Sequence, residues 1–217
     1  MLLNYSVEHA LLDPLVPKGT ELDLWNGLPY VSLVGFRFLD TRVRGFAIPW
    51  HRDFDEVNLR FYVRRGDRHG VVFIREIVPR FAIAAIARWT YNEPYVTAPI
   101  EHEISKARVG YRWRYSGASY ELWASIEGEP LALAAESEAE FLTDRRWGYT
   151  RQRDGGTLEY EVEHARWRIW HPTRAAIRGD ASRLYGRSFG DVLGRSPDST
   201  IVAEGSAVVV SPGRRIA

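Results

Sequence analysis

Between positions 56 and 64 the chain reads EVNLRFYVR, with apolar side chains at every second place: Val57, Leu59, Phe61 and Val63. A period of two belongs to a β-strand, whose successive side chains leave opposite faces of the sheet. Glu56, Asn58, Arg60 and Tyr62 therefore share the other face. This stretch excludes a helix, and it sets a carboxylate, an amide and a guanidinium side by side. Its surroundings decide whether that polar row meets water or the inside of the protein.

The rest of the chain repeats strand and turn. Asn26-Gly27 supplies the positive φ pair of a type I′ turn, which predicts a hairpin of Glu21 to Trp25 with Leu28 to Leu39. GDRHG turns the chain into VVFIREIV, a strand too apolar to have one face in water. ARVGYRWRY and SYELWASIE flank a turn at Ser116 to Ser119, and counting outward from it sets Arg114 opposite Glu121. TLEYEVEHARWRIW follows an Asp154-Gly155-Gly156 turn, and STIVAEGSAVVVS closes the series. Helices are few and short: Ser6 to about Leu15, Pro79 to about Tyr91, a segment with a Ser137/Glu140 capping box ending near Arg146, and about Arg183 to Leu193. Eight tryptophans and eleven tyrosines also favour a pleated surface. The prediction is a mainly β fold, an antiparallel barrel or sandwich with a few short helices, formed by residues 1–217 as a single domain.

Charge narrows the partners. The 29 basic and 28 acidic residues leave a net charge of +1, so no field draws the chain to nucleic acid or to an anionic membrane. No run approaches the roughly eighteen apolar residues of a membrane span, and MLLNYSVEHALLDPLVPKG lacks a basic region followed by a continuous apolar one. The expectation is a cytoplasmic protein. Cysteine is absent, which excludes disulfides and thiol chemistry. The six histidines form no His-x-His or His-x-x-x-His pair, and two acidic groupings, His51/Asp53/Asp55/Glu56 and Glu101/His102/Glu103, read as loop and strand-edge polarity rather than metal ligands. There is no Gly-x-Ser-x-Gly elbow and no glycine-rich phosphate loop, so no metal and no cofactor are expected. The row Glu159, Glu161 and Glu163 and the arginines of RWRYS and RWRIW read as pairs neutralising each other at a wet surface.

The residues from Asp53 to about Pro99 resemble the acetoacetate decarboxylase superfamily, in particular its YqjF-like branch of uncharacterised bacterial proteins. In that branch a strand of the form Glu-Val-Asn-Leu-Arg-x-Tyr-Val is characteristic, and here it stands as Glu56 to Val63. The similarity extends more loosely to LDLWNGLPYVSLVGFRF, LYGRSFGDVL and IVAEGSAV. It implies the acetoacetate decarboxylase-like fold, an internal cavity and an active-site glutamate at Glu56. In the decarboxylases an Ala-rich helix with an Arg leads to a Gly-x-Pro-Lys-Lys turn, whose first lysine forms a Schiff base with the β-keto acid. AIAAIAR matches that helix, Asn92-Glu93-Pro94 falls where the glycine and proline stand, and Tyr95 and Val96 follow.

Tyrosine and valine form no imine. Lys18, in a Pro-Lys-Gly turn, and Lys106, between Ser105 and Ala107, read as solvated amines, so the family's lysine-based decarboxylation is not expected. The resemblance and the polar strand face together nominate Glu56 as acid/base, Asn58 as an orienting amide, and Arg60 and Arg37 as anion partners. Tyr95 becomes a hydroxyl donor in the vacated lysine position, and Glu76 and His51 complete the set. The expected partner is a small molecule, a carboxylate or carbonyl compound, handled by lyase-like or acid/base chemistry if the chain is an enzyme. The alternative is a non-catalytic binding or scaffold protein whose Glu56, Asn58 and Arg60 form a structural network inside the barrel. The sequence leaves the oligomeric state open.

Overall fold

The computed structural model describes residues 1–40, 42–43, 46–47, 53–79 and 95–217. In chain order the strands are β1 (Leu2–Ser6), β2 (Glu21–Leu22), β3 (Tyr30–Phe38), β4 (Arg42–Val43), β5 (Phe46–Ala47), β6 (Phe54–Arg65), β7 (Arg68–Val78), β8 (Tyr95–Thr97) and β9 (Ile100–Ile104). They continue as β10 (Arg108–Tyr115), β11 (Ala118–Ser125), β12 (Trp147–Arg151), β13 (Thr157–His164), β14 (Ile169–Trp170), β15 (Ala175–Arg178), β16 (Ser199–Ala203), β17 (Val208–Val210) and β18 (Arg214–Arg215). Twelve of these form one sheet in the order β14-β16-β1-β3-β6-β7-β12-β13-β17, with β2 attached to β6, β8 to β7 and β18 to β13. Four form a second sheet, β15-β11-β10-β9, and β4 pairs with β5.

The chain is mainly β, as the alternation predicts, but the large sheet is mixed and does not close into a barrel. The cause lies at β7. One of its edges is taken by β6 through the hairpin, and both partners on the other edge run parallel to it: β12 beside Gly70 and Val71, and β8 beside Glu76 to Val78. Parallel neighbours need long crossovers rather than tight turns, so a purely antiparallel meander is not available here. Between these two attachments the β6–β7 ladder carries a bulge: Arg60 faces Phe73 and Leu59 faces Arg75, which leaves Ile74 as an extra residue.

The main core fills the space between the two sheets. Leu3, Tyr5, Leu33, Val57, Leu59, Phe61 and Ile77 of the large sheet meet Val109, Tyr111, Trp113, Tyr120 and Leu122 of the small one. Gly35 permits the close approach, because a Cβ there would lie 2.6 Å from the Tyr111 ring and 3.1 Å from a Leu122 methyl. A second, smaller cluster covers the opposite face of the large sheet, where Leu2, Tyr30, Val34, Tyr62 and Val71 pack on Ala139 and Leu142 of the helix Glu138–Thr143.

Several local expectations change. The Asn26-Gly27 turn forms, with φ of 49° and 80° and two backbone hydrogen bonds between Trp25 and Leu28. Yet β2 joins β6 rather than β3, because β1 and β6 already occupy both edges of β3. The β10–β11 turn is only Ser116-Gly117, so Arg112, not Arg114, faces Glu121. Ser6 ends β1 and donates its N–H and hydroxyl to Asp198 instead of capping a helix, while the helix that follows, His9–Leu12 continued by the 3-10 turn Asp13–Leu15, ends where expected. The Ser137 hydroxyl accepts from the Glu140 N–H as the capping box predicts, but the helix stops at Thr143. Gly186, at φ 82°, divides the C-terminal helix into Ala181–Tyr185 and Arg187–Leu193. The helix expected from Pro79 to Tyr91 lies outside the described residues. No helix among the described residues is long and apolar enough to cross a membrane.

The Glu159 row is not a wet surface throughout. The Glu159 side chain has no exposure at all, and its carboxylate accepts from Arg68 at 2.7 Å and Arg214 at 3.1 Å, with Arg65 at 3.4 Å. β13 lies inside the sheet between β12 and the pair β17 and β18, which covers one side of the row.

Candidate functional site

β6 lies between β3 and β7, and both of its faces are covered. Val57, Leu59, Phe61 and Val63 are fully buried in the main core, while Glu56, Asn58 and Tyr62 on the other face are 2%, 1% and 1% exposed. The polar row of EVNLRFYVR is therefore an interior feature, and interior polar groups must find partners or leave a free-energy deficit. Register sets its neighbours. Phe36 stands beside Glu56, Val34 and Glu76 flank Asn58, and Ser32 and Phe73 flank Arg60. The backbone of Tyr95 pairs with that of Glu76.

Asn58 Nδ2 donates to Glu56 Oε1 at 2.8 Å. Glu76 stands across from Asn58, and its carboxyl lies close enough to Glu56 to act on its titration. Burial pushes Glu56 up to about 7, against the opposing pull of the Asn58 and Glu76 hydrogen bonds and the Arg60 charge. The group is thus poised to gain or lose a proton near neutrality, where an acid/base catalyst is most effective. Asn58 Oδ1, an acceptor, and Arg60 Nε, a donor, are buried on this face without a partner among the described residues.

Arg60 is held from behind. Its Nη2 donates at 3.0 Å to the Leu142 carbonyl, one of the acceptors that the end of a short helix leaves over. Tyr62 reaches the same carbonyl at 3.3 Å and exchanges a 2.6 Å hydrogen bond with Ser32, whose hydroxyl donates to Asn4 Oδ1 at 2.6 Å. Arg145 packs over the Tyr62 and Phe141 rings and pairs with buried Asp23, to which His69 also bonds at 2.7 Å.

Of the residues nominated from the sequence, Glu56, Asn58, Arg60 and Glu76 stand together, and Tyr95 is next to Glu76 in backbone register. Arg37 is not with them. It faces Asp55 on the opposite side of the sheet, where its Nη1 meets His102 Nε2 at 2.9 Å and His102 Nδ1 meets Asp55 at 2.8 Å. His51 lies outside the described residues. Tyr62 shares the face, as the alternation predicts, whereas Asn4 and Ser32 are additions that the polar residues inside the apolar runs LLNYS and YVSLV could have signalled. No group of three or more His, Cys, Asp or Glu among the described residues could hold a metal ion.

Residues 1–207 match the model of DUF2071, described as an uncharacterized conserved protein. The chain belongs to the DUF2071 family. This DUF2071 protein is 29% identical over 170 residues to the uncharacterized protein YqjF of Bacillus subtilis, covering 76% of this chain and 69% of YqjF. Among solved structures it is similar to acetoacetate decarboxylase from Legionella pneumophila, with a TM-score of 0.67 and 15% identity over 100% of this chain and 83% of that one. An acetoacetate decarboxylase-like enzyme from Sphingomonas wittichii RW1 gives a TM-score of 0.60 at 16% identity, over 99% and 89% of the two chains. The enduracididine biosynthesis enzyme MppR, complexed with the condensation product of pyruvate and imidazole 4-carboxaldehyde, gives 0.62 at 14%, over 99% and 85%. The DUF2071 chain shares the acetoacetate decarboxylase-like fold with all three.

Proposed function

We propose that this chain binds a small carboxylate or carbonyl compound over the Glu56, Asn58, Arg60 and Glu76 face and acts on it by proton transfer at Glu56, without a Schiff base. The observation that carries this reading is the buried Glu56/Glu76 carboxyl pair, flanked by an amide oxygen and a guanidinium nitrogen that have no partner of their own. Arg60 Nε would donate to a carboxylate or carbonyl oxygen in a water-poor setting, where charge-assisted hydrogen bonds are strongest. Asn58 Oδ1 would accept from a ligand hydroxyl. Tyr95 is assigned the phenol that donates to a developing oxyanion.

Imine chemistry is a poor fit, because it needs a desolvated amine, and both lysines of the chain are exposed. The class of ligand is supported by the neighbours of the same fold, one named for acetoacetate and one holding a product of pyruvate. A small oxo acid is accordingly the first compound to try.

Calorimetric titration with acetoacetate and with pyruvate tests the proposal. The wild type should bind at least one of them, Arg60→Met should lose that binding while remaining folded, and borohydride should trap no adduct by mass spectrometry. Absence of binding to both compounds, with Arg60→Met several kcal/mol less stable than the wild type, would favour a purely structural polar network. A trapped adduct on Lys18 or Lys106 would overturn the imine-free chemistry.

A further inference from the structure

The bulge at Ile74 has a consequence on the opposite face of the sheet. Arg75 faces Leu59 and is directed to the core side, where its Nη1 donates to the Leu184 carbonyl in the helix Ala181–Tyr185. Among the described residues no carboxylate lies within ion-pair distance of it. Beside it is Tyr185, whose ring is 7% exposed and whose hydroxyl is buried without any hydrogen-bond partner. Burial holds that hydroxyl protonated, well above the ordinary phenol range, and the Arg75 charge opposes this only in part. Nearby Tyr120 shows the contrast, since its hydroxyl donates to the Asp180 carbonyl at 3.2 Å.

A partly buried guanidinium without a counter-ion among the described residues and a buried phenol without an acceptor are each unfavourable, and here they converge on consecutive residues of one helix, Leu184 and Tyr185. Water would satisfy the phenol but would leave the charge uncompensated. An oxyanion does both, accepting from the phenol O–H and from the remaining guanidinium N–H groups, of which a guanidinium has five in a planar fork.

We infer that Arg75 and Tyr185 form a second site, independent of Glu56, that holds a small oxyanion between the large sheet and the helix Ala181–Tyr185. Its chemistry is that of a carboxylate or a phosphate, bound by the guanidinium and capped by the phenol. Arg75 and Glu76 are consecutive, so the site lies back to back with the acid/base face.

Protein labelled with carbon-13 at tyrosine Cζ is titrated with sodium acetate and, separately, with sodium phosphate at constant ionic strength and neutral pH. The Tyr185 resonance is identified by its absence from Tyr185→Phe. It should shift saturably with at least one anion, and the shift should vanish in Arg75→Met. A response to acetate alone assigns a carboxylate, a response to phosphate alone assigns a phosphate, and a response to both assigns the shared oxyanion chemistry. Should Arg75→Met fail to fold, Arg75→Lys, which lacks the fork, should bind about tenfold more weakly. No saturable shift with either anion, an unchanged shift in Arg75→Met, or undiminished affinity in Arg75→Lys would overturn the inference.

Discussion

Asn58 donates its amide to Glu56 across 2.8 Å and keeps its own carbonyl oxygen buried without a partner. The two residues are neighbours on one face of β6, so the strand itself fixes their separation. An interior strand that sets an acid beside an amide in this way has spent hydrogen-bonding capacity on one side only. The unused acceptor marks where a ligand would complete the set.

Glu56 should make stability depend on pH. Its ordinary value is 4.5 and burial raises it to about 7. Below about 4.5 the carboxyl is protonated folded and unfolded alike. As pH rises from there the unfolded chain releases the proton first, so stability declines until about 7 and the loss is then complete. The upper bound is roughly 3 kcal/mol. Urea midpoints measured across this window should fall for the wild type and stay nearly level for Glu56→Gln, and parallel profiles would refute the assignment.

Asp23 and Arg145 form a buried pair, with side chains 9% and 5% exposed. Asp23→Ala leaves the guanidinium uncompensated and should cost about 3–5 kcal/mol. The double variant Asp23→Leu/Arg145→Met should recover much of that loss in guanidinium chloride unfolding. A double variant as unstable as Asp23→Ala would show that the pair is not the source of the effect.

Glu159 should behave oppositely to Glu56. Burial alone would raise it, but hydrogen bonds from Arg68 and Arg214 and the charges of Arg68 and Arg65 hold it below the usual carboxylate range. Its contribution is present above the ordinary value and is lost as pH falls through the lowered one. Glu159→Gln should therefore destabilise at neutral pH, by about 1–2 kcal/mol because the arginine heads are partly solvated, and the difference should shrink in acid. A gap that widens in acid would contradict this.

Gly35→Ala should push the two sheets apart, since the added Cβ meets the Tyr111 ring. The expected loss is about 1–3 kcal/mol. Calorimetric melting of the single and double variants should show that Tyr111→Leu relieves part of it, and strictly additive effects would exclude the contact as the cause.

The polar row of β6 could be read from the sequence because an unbroken strand keeps strict alternation. Whether it faced water could not, since that depends on what packs on that face, and the helix Glu138–Thr143, whose Leu142 carbonyl meets Arg60 and Tyr62, comes far later in the chain. Glu76 illustrates the limit. Counting by twos from Val72 puts Glu76 on the same face as Val72, yet Val72 faces Phe61 in the core and Glu76 faces Asn58. The bulge at Ile74 breaks the parity, and no residue type announces it. Arg37 was drawn into the site by chemistry alone, whereas pairing with Asp55 puts it across the sheet. Glu159 looked like its neighbours in EYEVE, and only the arginines converging from the ends of β6, β7 and β18 set it apart.

The position of β1 bears on how the protein is made. β1 pairs with β3 on one side and with β16 on the other, and the Asn4 side chain donates to Ser199, 195 residues away. One edge of β1 stays unsatisfied until β16, nearly two hundred residues later, has left the ribosome. Ordering that edge requires closing a loop of 195 residues, and such non-local pairings make folding slow and leave sticky strand edges exposed meanwhile. Nascent chains shortened before Ser199 should thus engage chaperones and resist compaction, even though every residue of the polar β6 face has already been synthesised.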